Sequence, residues 1–336
     1  MQEKEALYYR KLKNKTVQCQ LCPKFCTIKN GERGNCNVRE NQEGILRSIV
    51  YGKLCSMNPD PIEKKPLYHF MPGQQAMSIA TVGCNLHCQQ CQNWQISQER
   101  PEYYPSITMS PEEIVQKTID AECSIIAYTY TEPTVFYEYM LDTAKIAREK
   151  GIKNVLVSNG FINPEPLNEL CRYIDAANID LKSISEKFYR KICDGSIEPV
   201  LDSIKMLHKN KIWLELTNLI IPKLNDSEEE IKELAGYIAK IDKNIPLHLS
   251  AFHPTFKMAN LQPTPEKTII RAKDIALRAG LKYVYTGNIN DSEANATCCP
   301  KCKKQLIIRQ GYFVFKNYIE KGRCRFCNEK IAGIFN

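Results

Sequence analysis

From residue 77 onward the chain alternates two hydrophobic rhythms. Runs rich in β-branched and apolar residues read as strands: MSIATV (77–82), SIIAYTY (124–130), NVLVS (154–158), AANIDL (176–181), WLELTNLII (213–221), PLHLSAF (246–252) and KYVYT (282–286). Between them, apolar residues recur at helical spacing, as Ile231, Leu234, Ile238 and Ile241 do after the acidic start Ser227-Glu228-Glu229-Glu230. Ser110-Pro111-Glu112-Glu113 predicts a helix start, with Ser110 as N-cap, Pro111 at the first helical position and Glu113 completing a capping box. Thr264-Pro265-Glu266 predicts another, ending near Gly280.

Strands alternating with helices imply parallel βαβ units. About six units and a trailing strand are fewer than the eight of a complete TIM barrel. The expected fold class is therefore α/β, a partial (β/α)6 TIM-like barrel, with a doubly wound open sheet as the alternative. In either, ligands gather at the C-terminal ends of the strands. The expected organisation is an N-terminal cysteine-bearing module and linker (1–70), the barrel (71–290) and a C-terminal cysteine-bearing module (291–336). DPIEKKPLYHFMPG (60–73), with three prolines and a glycine, reads as linker. In the alternative, its Lys64, Lys65 and His69 reach the barrel mouth.

Composition changes this picture in one respect. No apolar run approaches the roughly 18 residues of a membrane span, and the charged start MQEKEALYYRKLKNK lacks a signal core, so a cytoplasmic location is expected. The net charge of +8 is spread among interspersed acidic residues, and no long Lys/Arg run occurs, so no nucleic-acid partner is expected. The 16 cysteines are the anomaly. Disulfide frameworks suit small secreted domains; closely spaced cysteines in a reducing compartment are better read as metal ligands. Cys55, Cys123, Cys171 and Cys193 stand apart from the clusters and read as small buried hydrophobes.

The central motif GCNLHCQQCQNW places Cys84, Cys88 and Cys91 as C-x3-C-x2-C directly after the first barrel strand. Three thiolates could bind zinc, with His87 or a distant cysteine as fourth ligand. They could instead hold three irons of a [4Fe–4S] cluster and leave the fourth open. Position at the ligand-binding end of a barrel favours the open site. Cys19, Cys22, Cys26 and Cys36 form C-x2-C-x3-C-x9-C, a site for zinc or an auxiliary iron–sulfur cluster, or thiols without metal. Cys299, Cys302, Cys324 and Cys327 form paired C-x2-C knuckles around the strand-like LIIRQGYFVF, a zinc-ribbon pattern with iron–sulfur as its rival and Cys298 to spare.

GCNLHCQQCQNW ahead of repeating βα units resembles the signature of the radical S-adenosylmethionine (radical SAM) enzymes. The resemblance implies a [4Fe–4S] cluster on Cys84, Cys88 and Cys91, with SAM chelating the fourth iron. It also implies reductive cleavage of SAM to a 5′-deoxyadenosyl radical that abstracts hydrogen from a substrate C–H bond, with no side chain as abstractor. Tyr130-Thr131-Glu132 occupies the place of the family's Gly-Gly-Glu, so Glu132 would receive the methionyl ammonium of SAM. Ser158-Asn159-Gly160 resembles a T-N-G motif, and Asp180-Leu181-Lys182 a D-L-K that contacts SAM in glycyl-radical activating enzymes. His253 is similar to a histidine near the adenosine in that group. Each has a plainer local reading: Glu132-Pro133 as a helix start, Asn159-Gly160 as a turn, His253-Pro254 as a loop. Two departures stand out, Gln90 where an aromatic residue is usual and Tyr130-Thr131 in place of Gly-Gly. CPKFCTIKNGERGNCNVREN, MNPDPIEKKPLYHFMPG, AYTYTEPT and TCCPKC extend the resemblance to the radical SAM subgroup of the AmmeMemoRadiSam system. That subgroup is similar to pyruvate formate-lyase activating enzymes, and its name implies Memo-type and Ammecr-type partners. A low-potential donor, flavodoxin or ferredoxin, is implied as well. The rival from another class is a binding module with several zinc sites. An electron carrier fits less well, because the ferredoxin spacing C-x2-C-x2-C-x3-C is absent.

Overall fold

All seven apolar runs form strands. Gln75–Ala80, Ile125–Tyr128, Lys153–Ser158, Ala176–Asp180, Trp213–Ile220, Leu247–Ala251 and Val284–Gly287 pair in chain order and in parallel. The computed structural model describes residues 4–289 and 295–335, so the expected boundary at 290/291 lies outside the described residues. Six helices connect successive strands: Pro111–Asp120, Tyr137–Glu149, Pro164–Leu170, Glu198–Lys209, Glu228–Ile241 and Glu266–Arg278. The expected (β/α)6 count is the observed one. The sheet stays open, with Val284–Gly287 at one edge and an antiparallel eighth strand, Ser56–Pro61, at the other.

The local chemistry accounts for most of these elements. Strands such as Ile125–Tyr128 are buried along their whole length, as parallel strands covered on both faces must be. Ser110 accepts from the Glu113 amide at 3.2 Å while Glu113 accepts from the Ser110 amide at 2.6 Å, closing the capping box. Ile231, Leu234 and Ile238 face the core. Thr264 differs from expectation: its hydroxyl bonds the Ile220 carbonyl (2.5 Å) and the Phe252 amide (3.0 Å), tying two strand ends together. The N-cap of the last helix is Pro265.

Residues 60–73 require a correction, because they are not a linker. Ile62, Glu63, Lys65, Leu67, His69 and Phe70 are each at most 2% exposed. The segment plugs the base of the barrel. The buried Glu215 carboxylate accepts from the amides of Tyr68 (3.0 Å) and His69 (2.7 Å) and from the His248 and Trp213 rings. Its Glu63 and His69 are partnered by groups far away in the chain, Arg309 for the first and Tyr285 and the Ala332 carbonyl for the second, while Lys64 and Lys65 pair with Asp60 of the same stretch.

The flanking modules pack on the barrel. The N-terminal residues form short antiparallel strands, including Val17–Cys19 and Arg39–Gln42. At the other end, Gln305–Gln310 and Phe313–Asn317 form the expected hairpin. Arg309 of that hairpin lies under the plug, donating to the Tyr68 carbonyl at 2.7 Å and stacking over the Tyr68 ring at 4.2 Å. His69 completes the clamp, with Nδ1 2.6 Å from the Ala332 carbonyl and Nε2 2.6 Å from the Tyr285 hydroxyl.

Candidate active site at the strand ends

The C-terminal strand ends surround a cavity of ≈ 600 Å³. Cys84, Cys88 and Cys91 line it, and so do Gln90, Tyr130, Glu132, Ser158, Asn159, Asp180 and Lys182. Lys64, Lys65 and Tyr68 of the plug supply part of its wall.

The cysteine-bearing turn is held from three sides. Gly83 lies at φ +109, and a β-carbon there would meet Val38 Cγ1 at 2.6 Å and the Cys36 carbonyl at 3.0 Å. Only glycine lets the turn lie so close to the N-terminal module. The amides of His87 and Gln89 donate to the carbonyls of Cys193 and Ile192 at 3.0 and 2.9 Å. Asn159 Nδ2 lies 3.8 Å from Cys84 Sγ, and Ser97 Oγ lies 3.1 Å from Cys91 Sγ. In the bare chain burial pushes the Cys84 thiol up, with the Glu132 carboxylate adding to the shift. A bound cation reverses that preference, since metal-coordinated thiols are deprotonated.

His87 does not join this set. Its ring nitrogens are engaged by Gln98 Oε1 at 2.5 Å and Asn35 Oδ1 at 2.9 Å, and it is absent from the cavity wall. The three central sulfurs are not all within 4.8 Å of one another, wider than one tetrahedral ion would gather them. The residues present therefore fit a cluster that bonds each thiolate to a different iron.

Glu132 takes up the helix-start reading open to it. It caps the turn Pro133–Phe136, its Oε1 accepting from the Thr134 amide (3.0 Å), the Thr134 hydroxyl (2.7 Å) and the Ser158 hydroxyl (2.8 Å). Its Oε2 accepts from the Asn159 amide at 2.8 Å, which leaves lone-pair capacity on that oxygen. Burial raises the carboxyl, and these donors oppose the rise. Gly160 follows at φ +70, where a β-carbon would meet Ile179 at 3.0 Å. Lys182 Nζ bonds Asp180 at 2.9 Å. His253 is exposed and lies outside the cavity wall, so the structure does not bring it to the other candidates.

The two departures from the motif have local solutions. Tyr130 takes the left-handed backbone (φ +64) that glycine would favour. It is held there by Asn93 Nδ2 on its carbonyl (2.7 Å), by its hydroxyl on Asp60, and by Lys65 Nζ 4.2 Å over its ring. Gln90 is buried on the cavity wall, with Nε2 3.9 Å from Cys193 Sγ. Cys193, expected as a small buried hydrophobe, is fully buried in the core. A π-helical turn, Tyr189–Cys193, places its thiol beside that of Cys88, a proximity no sequence spacing announces.

Residues 78–235 match the model of the radical SAM superfamily. An uncharacterized protein of Methanocaldococcus jannaschii is 46% identical over 334 residues, covering 98% of each chain. The chain belongs to the radical SAM superfamily. The pyruvate formate-lyase-activating enzyme of Clostridium pasteurianum is 22% identical over 51% of this chain and 72% of its own. Streptococcus suis SuiB, solved bound to S-adenosylmethionine, matches with a TM-score of 0.52 over 68% of this chain and 53% of its own at 13% identity, a likeness of fold. Membership of the radical SAM superfamily makes this chain an enzyme and implies a [4Fe–4S] cluster and SAM as its cofactors. No described helix is long and apolar enough to cross a membrane.

Proposed function

We propose that this radical SAM enzyme binds SAM in the strand-end cavity, cleaves it reductively to a 5′-deoxyadenosyl radical and abstracts hydrogen from a substrate C–H bond. One observation carries this reading. Three thiols suited to a cluster and a buried carboxylate with an open lone pair share one cavity wall. The cluster, held by Cys84, Cys88 and Cys91, supplies the electron for cleavage. Glu132 Oε2 receives the ammonium of SAM, a charge-assisted contact. Ser158, Asn159, Tyr130, Asp180 and Lys182 shape the remaining cofactor wall, and the plug keeps bulk water from the base of the cavity. A flavodoxin- or ferredoxin-type donor delivers the electron.

The relative from Clostridium pasteurianum, named as an activating enzyme, supports a narrower version in which the hydrogen comes from a glycine of a partner protein. The flanking motifs support placement in the AmmeMemoRadiSam subgroup, with Memo-type and Ammecr-type proteins as the partners to test.

Oxygen-free protein given strong reductant and SAM should release 5′-deoxyadenosine, and Cys88→Ala should abolish release. A colourless preparation that leaves SAM intact refutes the reading. Deuterium appearing in 5′-deoxyadenosine from a deuterated partner protein, and not from deuterated small metabolites, selects the activating version.

A further inference from the structure

The two flanking cysteine sets differ in a way that their sequence spacing does not reveal. In the C-terminal set, Cys299, Cys302, Cys324 and Cys327 have all four sulfurs within 4.8 Å of one another. Their closest pairs, Cys299–Cys327 and Cys302–Cys324, stand 3.6 and 3.7 Å apart. That matches the edge of a zinc tetrahedron, about 3.8 Å for a Zn–S bond of about 2.3 Å. The N-terminal set is open instead. Cys19, Cys22, Cys26 and Cys36 line one cavity, yet no three of their sulfurs come within 4.8 Å of one another. Thiolates on the four corners of a cubane are spread on the order of 6 Å apart, because each bonds a different iron.

The four cysteines share the lining of this cavity with Arg39, Asn85 and Thr134. Its wall also carries two unanswered donors. Arg39, 1% exposed, lines the cavity and spends Nη2 on Glu138 and the Leu7 carbonyl. Its Nε and Nη1 are buried with no hydrogen-bond partner. A buried donor without an acceptor is costly, and a guanidinium doubly so. An anionic cluster with bridging sulfides supplies acceptors at that place. The Asn35 amide already donates to Cys26 Sγ at 3.4 Å, an N–H group of the kind that surrounds cluster sulfur.

We propose that Cys19, Cys22, Cys26 and Cys36 hold a second [4Fe–4S] cluster, fully ligated by protein and hydrogen-bonded by Arg39. All four irons then have a cysteine ligand, so SAM has no corner to occupy there. The central site and the proposed SAM chemistry stand or fall independently of this assignment.

The test is made on the full chain, purified without oxygen. Wild type should hold about eight irons and eight sulfides per chain, and a Cys84→Ala/Cys88→Ala/Cys91→Ala variant about four of each. The reduced variant should give an electron paramagnetic resonance signal that SAM leaves unchanged. Cys22→Ser/Cys26→Ser should lose that signal and keep the SAM-responsive one. Iron absent from the triple variant, or a second zinc in its place, overturns the proposal. So does a remaining signal that shifts when SAM is added. Because the triple variant leaves the N-terminal module untouched, a folding failure of the Cys22/Cys26 variant does not remove the test.

Discussion

The Arg39 guanidinium donates to the Glu138 carboxylate at 2.6 Å, with both side chains at most 2% exposed. Glu138 lies in the helix Tyr137–Glu149 and also accepts from the Leu7 amide at 2.8 Å, so the pair staples the N-terminal module to the barrel. Removing one partner leaves the other charge buried. Glu138→Ala is expected to cost about 3–5 kcal/mol. Breaking the exposed pair Lys205–Asp202 should cost less than about 1 kcal/mol. Denaturant titrations that give the two variants equal losses would refute the staple.

Glu132→Gln keeps the acceptor that Ser158 and Thr134 use and removes the charge offered to SAM. Losing one charged hydrogen bond is worth about 1.5–3 kcal/mol, so SAM affinity should fall by about 10- to 100-fold. Equilibrium binding to the cluster-loaded protein measures it directly, and an unchanged dissociation constant sinks the role.

Acid should loosen the barrel base before it reaches the rest of the fold. Burial lowers the His69 pKa to about 4. Glu215 is held below its usual range even though burial opposes this, chiefly by His248 at 2.7 Å. Both shifts leave the unfolded chain binding more protons, so stability is full at neutral pH and lost on acidification. The His69 share declines from about pH 6.5 toward about pH 4, at up to about 1.4 kcal/mol per pH unit, and the Glu215 share follows at lower pH. Urea midpoints at about pH 7 and about pH 5 should differ, and His69→Asn should flatten the slope. Equal wild-type midpoints would contradict it.

The four C-terminal sulfurs lie within 4.8 Å of one another, and the expected content is about one zinc per chain that survives loss of all iron. Cys299 and Cys324 pack in one cluster with Tyr68, Tyr283 and Tyr285. Chelation should therefore lower the melting temperature of the whole chain rather than fray the hairpin alone. A stripped protein that melts where the loaded one does would argue against a structural metal.

The barrel was legible because its strands are buried on both faces and so read as continuous apolar runs, with helices announced by Ser110 and Ser227. Cys84, Glu132, Asn159 and Asp180 were legible as a group because each sits at the end of such a run. Residues 60–73 were not. Their three prolines and glycine read as linker, because Arg309 and Tyr285, which partner the buried Glu63 and His69, lie far along the chain. Cys193 was hidden for the same reason, since its contact with Cys88 spans a hundred residues of chain. His253 shows the opposite limit, a motif match whose side chain faces solvent.

The contact of Gly83 with Val38 and Cys36 bears on how this catalyst could be dissected. A fragment starting at Ser56 would retain every cysteine of the central turn in its sequence, yet lack the mould against which that turn is cast. Its cysteines would be an inventory without an address. Engineering that transplants the barrel into another host must carry the first 55 residues along, or rebuild their footprint around a single hydrogen atom.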